Sequence, residues 1–137
     1  MNSTISITFG KPIHGWLSVD FHYKDFRLSF DASDAINNPI EELYNAIANL
    51  QDNEKRTVTW WLEPGAYFFD FEKKRENTVL TILETEDLHA LEVERKSILT
   101  ISSPNKQVTE PFHAALIELC SQKYQPEDWS YNLIHIQ

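Results

Sequence analysis

The chain has 137 residues, 42% hydrophobic and 24% charged, a length and balance that fit one folded domain and exclude a disordered chain. Acidic side chains outnumber basic ones 21 to 12, for a formal net charge of -9, so the global field repels polyanions and disfavours nucleic acid as a partner. With only three glycines the sequence also disfavours a Gly-rich phosphate loop, which needs several to bring backbone amides onto a nucleotide.

Residues 4–9 alternate, with Ile5, Ile7 and Phe9 on one side, and stop at Gly10-Lys11-Pro12, which reads as a first short strand. In residues 16–23, Leu17, Val19, Phe21 and Tyr23 face one way and Ser18, Asp20 and His22 the other. A tight turn at Lys24-Asp25 then returns Phe26, Leu28 and Phe30, so that Phe21 lies against Leu28 and His22 against Arg27. The hairpin has one dry face and one wet face.

Residues 31–38 form a polar connection. Asn38-Pro39-Ile40-Glu41 matches a helix start, with Asn as N-cap, Pro at the first helical position and Glu at the third. Ile40, Leu43, Tyr44, Ile47 and Leu50 share one stripe, which carries the helix to about Gln51 and lays that side on a sheet.

Residues 57–74 read as an aromatic hairpin turning at Glu63-Pro64-Gly65-Ala66. Pro64 cannot take the positive φ of a tight primed turn, so a four-residue loop with Gly65 left-handed is expected. That register sets Leu62 opposite Tyr67, Trp60 opposite Phe69 and Val58 opposite Phe71 on one face. Trp61 and Phe68 fall on the other face with Thr59, Asp70, Thr57 and Glu72. Adjacent tryptophans in a strand point in opposite directions, so Trp60 is core and Trp61 is not.

Beyond a turn at residues 74–77, Leu80 and Ile82 continue the dry face. Residues 84–96 are acidic, with Leu91 and Val93 alternating as in a half-exposed strand, and 97–102 form a further strand. After the break at Pro104-Asn105-Lys106, Thr109 is read as the cap of a second helix burying Phe112, Ala115, Leu116, Leu119 and Cys120 and ending before Pro126. The tail, with Trp129, Tyr131, Leu133, Ile134 and Ile136, is too apolar to stay in water and is expected to dock.

The element order predicts one α+β domain over residues 1–137: a mainly antiparallel sheet of about five to seven strands with two helices on one face. Its predicted core contains Phe21, Leu28, Leu43, Ile47, Trp60, Phe69, Phe71, Ile82, Leu116 and Leu119.

Signs of catalysis are sparse. The single Cys120, mid-helix on an apolar side, reads as a small buried hydrophobe rather than a nucleophile. His14, His22, His89, His113 and His135 show no metal-ligand spacing, and no metal or cofactor is expected. Asp20, His22 and Arg27 read as a cross-strand polar set, and nothing near Asp70 and Glu72 would raise either pKa for acid–base work. The basic runs Lys73-Lys74-Arg75 and Arg95-Lys96 read as solvated turns. No run spans a membrane and no basic leader precedes the first strand, so the expected compartment is the cytoplasm.

Gly15-Trp16, the Asp-containing stretch into Pro39-Ile40-Glu41-Glu42-Leu43, the hairpin from Trp60 through Glu63-Pro64-Gly65-Ala66-Tyr67, and the Trp129 tail together resemble a group of small uncharacterised bacterial proteins. That resemblance covers most of the chain from Gly15 onward and supplies no catalytic residues. Such proteins are similar in size, acidity and single-domain build to the immunity proteins that neutralise bacterial toxins. The resulting expectation is a non-catalytic protein-binding module, an immunity-type inhibitor of a basic toxin. Its contact face would be formed by Trp61, Phe68, Asp70 and Glu72, an aromatic anchor with carboxylates beside it. A homodimer of metabolic role and a small enzyme with a site assembled from distant residues stand as alternatives.

Overall fold

A computed structural model describes residues 4–87 and 94–131. The alternating first third forms β1 (Ser6–Phe9), β2 (Trp16–Tyr23) and β3 (Phe26–Ser33), an antiparallel sheet in the order β1-β2-β3. Lys24 takes a positive φ of 55° in the tight turn, and Phe21 faces Leu28 and His22 faces Arg27 as the alternation requires. Leu17, Val19 and Phe21 are buried, while the residues between them, Ser18 and Asp20, are exposed.

The helix α1 (Pro39–Ala48) starts as its sequence dictates: the Asn38 side chain accepts the Glu41 backbone N–H at 3.2 Å, and Pro39 sits where no helical donor is needed. Ile40, Leu43 and Ala46 are buried along its inner stripe. It stops at Ala48 rather than near Gln51, with the Asn49 N–H closing onto the Asn45 carbonyl.

The remaining strands, β4 (Lys55–Trp61), β5 (Ala66–Lys74), β6 (Asn77–Thr85) and β7 (Lys96–Pro104), form a second antiparallel sheet in the order β4-β5-β6-β7, followed by α2 (Asn105–Cys120). The expected single sheet is therefore two, of three and four strands. Part of the reason lies at the edge of β4. The Glu42 carboxylate accepts the Thr59 N–H at 2.9 Å, and the Asn37 amide donates to the Thr59 carbonyl at 2.8 Å and to Glu42 at 2.9 Å. Two side chains thus satisfy backbone groups that a neighbouring strand would otherwise pair.

The aromatic hairpin keeps its predicted faces but not its predicted partners. Trp60 pairs with Tyr67, Val58 with Phe69 and Arg56 with Phe71, a displacement of every partner along β5. The loop has four residues, but it is Leu62–Gly65 rather than 63–66, because Ala66 is already in the ladder opposite Thr85. Leu62 consequently lies in the turn, its N–H donating to the Gly65 carbonyl at 2.6 Å. The left-handed residue is Glu63 at φ 59°, before a cis bond to Pro64, and not Gly65. What requires glycine at 65 is close approach: a Cβ there would lie 3.0 Å from the Thr85 carbonyl oxygen.

The second helix also begins before its predicted cap. Asn105 anchors it to the turn between β5 and β6, its N–H donating to Glu76, its amide to the Arg75 carbonyl, and its Oδ1 accepting from Thr78. Thr109, expected as the cap, lies inside the helix and donates to the Asn105 carbonyl at 3.0 Å, and Pro111 is an interior residue. Proline there leaves one helical hydrogen bond unmade, an arrangement that tertiary packing of Val108, Phe112, Ala115, Leu116 and Leu119 must offset.

Both inner sheet faces and both helices share one core. Phe21 packs on Phe69 and Phe112, Phe30 on Trp60 and Tyr67, and Phe71 on Phe112, with most pairs tilted or edge-to-face. Of the predicted core, Phe21, Leu43, Trp60, Phe69, Phe71, Ile82, Leu116 and Leu119 are buried, whereas Leu28 and Ile47 pack partly buried against it. Trp129 is also buried, so the described part of the tail docks as expected. The strand proposed around Leu91 and Val93, and Leu133, Ile134 and Ile136, lie outside the described residues.

Candidate functional site

The predicted contact residues lie on the outer face of the four-stranded sheet. Direct pairing sets Thr59 against Phe68, Thr57 against Asp70 and Lys55 against Glu72. The Thr57 hydroxyl donates to Asp70 at 2.6 Å, and Lys74 pairs with Glu72 at 3.2 Å. Both carboxylates are half-buried, as is Trp61, so those three do share a partly accessible face.

Phe68, expected as an exposed anchor beside Trp61, is only 1% exposed. The Arg95 guanidinium carbon stands 3.8 Å from its ring centroid, where the cation meets the negative face of the π system. Arg95, the residue before β7, therefore stands over this aromatic. The indole nitrogen of Trp61 is likewise sealed from solvent although its side chain as a whole is not.

A different tryptophan is open. Trp16 is 38% exposed on the outer face of the three-stranded sheet, and Ile13, joined to it by reciprocal backbone hydrogen bonds of 2.9 Å, is 54% exposed. This corner is held from far along the chain. The Gly15 N–H donates to the Asp128 carbonyl at 2.7 Å and the His14 N–H to the Asp128 carboxylate at 3.0 Å. Asp34, just beyond β3, donates its N–H to the Gly15 carbonyl and accepts from the Ser130 N–H and hydroxyl at 2.7 and 2.8 Å. Gly15 has φ 83°, and a Cβ would lie 2.9 Å from an Asp34 oxygen, so a side chain there would be strained and would push the Asp34 carboxylate aside.

Serine, histidine and aspartate meet here without the wiring of a nucleophilic triad. The Ser130 hydroxyl gives its hydrogen to a carboxylate rather than to an imidazole, and His14 points to Asp128 at 4.0 Å with an almost fully exposed side chain. No imidazole is positioned on the hydroxyl, and the carboxylate that accepts from it also accepts the Ser130 N–H, so the arrangement is that of a clasp.

Two open grooves are lined by described residues. One of about 710 Å³ lies at the end of α2, lined by Cys120, Tyr124, Pro126, Trp129, Ser130 and Tyr131 among others. Burial pushes the Cys120 thiol above its ordinary pKa, which keeps it protonated and a poor nucleophile. The other, about 780 Å³, is lined by Glu84, Thr85, Glu86, Glu94 and Lys96. The burial of Tyr67, and secondarily the negative charge of Glu84, raises that phenol's pKa. Among the described residues no group of three or more His, Cys, Asp or Glu side chains is placed to hold a metal ion, and no helix is long and apolar enough to cross a membrane. His89 and His135 lie outside the described residues.

Comparison of the chain with models of known families, with curated proteins and with solved structures finds no match.

Proposed function

We propose that this chain is a non-catalytic protein-binding module, an immunity-type inhibitor that recognises a basic toxin. The observation that supports it is the outer face of the four-stranded sheet, along which Trp61, Asp70 and Glu72 are spread with part of their surface accessible and with both helices packed on the inner side. In this reading Trp61 contributes ring area at the rim, Asp70 and Glu72 accept from cations on the partner, and Phe68 supports the face from beneath Arg95. The net charge of -9 favours encounter with a basic surface and disfavours self-association at the same face.

The test is to titrate the purified chain with the protein encoded immediately beside it and to read affinity by calorimetry at low and high salt. A complex weakened by salt, and weakened by more than about 1 kcal/mol in Trp61→Ala, supports the reading. No complex, or one unaffected by Trp61→Ala and by the pair Asp70→Asn and Glu72→Gln, contradicts it.

A further inference from the structure

We infer that the outer face of the three-stranded sheet is a second docking surface, for a protein partner that presents a basic segment with an apolar side chain beside it. This surface is separate from the Trp61 face and stands whether or not that face binds.

Its openness is the first reason. Ser6, Thr8, Trp16, Ser18, Asp20, Arg27, Ser29 and Asp31 are all exposed across three adjacent strands, and no described helix or strand packs on them. The sheet's other face carries Leu17, Val19, Phe21 and Ala32 into the core, so stability alone asks only for polar residues outside. A tryptophan with 38% of its surface open exceeds what that requirement asks. Of the large hydrophobic side chains that are exposed, Ile13 and Trp16 are backbone-bonded neighbours, and Ile36 follows shortly after Ser33, the residue paired with Trp16.

Rigidity is the second reason. The corner that displays Ile13 and Trp16 is tied to Asp128 and, through Asp34, to Ser130, so the anchor is held in place before any partner arrives. Preorganisation of this kind lowers the entropy lost on binding.

The third reason is charge, and it selects the occupant. Asp31 accepts from Ser18 at 2.9 Å and Asp20 accepts from Ser29, each through Oδ1, which fixes both carboxylates while leaving each a second oxygen for an incoming donor. Asp20 and Asp31 sit diagonally on neighbouring strands, a separation of about 7–8 Å between such positions, close to the spacing of alternate side chains in an extended segment. Lysines or arginines two residues apart on a partner strand would reach both. With Arg27 the one cation beside Asp20 and Asp31 among these residues, the face is net acidic, which favours a basic partner over a second copy of the chain.

The isotope-labelled full chain, titrated with a synthetic Lys/Arg peptide carrying one central leucine and with its Glu counterpart, tests this by amide shift mapping. Shifts confined to residues 6–9, 13–22 and 27–36 and to the Trp16 indole, produced by the basic peptide alone, are the expected result. Trp16→Ala should weaken that binding about tenfold, as should Asp20→Asn with Asp31→Asn, while Trp61→Ala leaves it unchanged. Because these positions are exposed, the amide spectra of the variants should otherwise match the parent. Four results would overturn the inference: no localised shifts, shifts centred on the four-stranded sheet, an equal response to the Glu peptide, or a face that responds only when the chain self-associates.

Discussion

The outer faces of the two sheets each carry a tryptophan among hydroxyls and carboxylates, yet one is open and the other is partly roofed by its own chain. On the three-stranded sheet, Trp16 stands 38% exposed, whereas on the four-stranded sheet Phe68 is sealed beneath Arg95 and the Trp61 indole nitrogen is buried. Position on the polar side of a strand therefore does not decide whether an aromatic is available. What differs is that a cation, Arg95, stands over the one ring while Trp16 keeps part of its surface open.

The largest effects that would break this contrast come from truncating the covered aromatics. Phe68→Ala should destabilise the fold by about 3–5 kcal/mol in urea unfolding, in line with Trp60→Ala from the inner face of the same sheet. Trp16→Ala, at a ring that is 38% exposed, should cost less, about 1–2 kcal/mol. Near-equal losses for Phe68 and Trp16 would erase the difference between the faces.

The clasp under Trp16 ranks next. Asp34→Ala removes the acceptor of two Ser130 hydrogen bonds and should cost about 1–3 kcal/mol, while Gly15→Ala, strained at φ 83°, should destabilise through the same corner. Both are readable as shifts in the unfolding midpoint. Arg95→Ala sharpens the other face: it should lower stability by only about 0.5–1 kcal/mol but expose the Phe68 ring, measured as faster exchange of nearby amides.

The smallest effect is a pH dependence from two tyrosines. Tyr67, and Tyr131 near the tail, have phenol pKa values raised by burial, so the folded state prefers them neutral. Their contribution is fully present below the ordinary phenol value of 10.0 and is lost as pH rises beyond it. Stability should therefore fall on that alkaline side, and Tyr67→Phe should flatten the fall.

Much of this was legible from local pattern. Alternation placed Trp60 inward and Trp61 outward, the Asn38-Pro39 signal located the first helix start, and the Lys24-Asp25 turn fixed the first hairpin's register. Trp16 was not singled out, although its outward position follows from Leu17, Val19 and Phe21 facing inward. The errors came from interactions that sequence neighbours do not encode. Pairing of Ala66 with Thr85 moved the aromatic hairpin's turn, Asn105 reached back to the Arg75–Glu76 turn, and Asn37 with Glu42 occupied the backbone at the β4 edge. The clasp joins Asp34 to Ser130 across 96 positions, which no local signal marks.

The most direct test is the solvent accessibility of the four indole N–H groups, read together from their resolved resonances in the presence of a soluble paramagnetic agent. The account predicts strong broadening of Trp16 and protection of Trp60, Trp61 and Trp129, whose indole nitrogens are buried. Broadening of Trp61 equal to that of Trp16, or a protected Trp16, would contradict it.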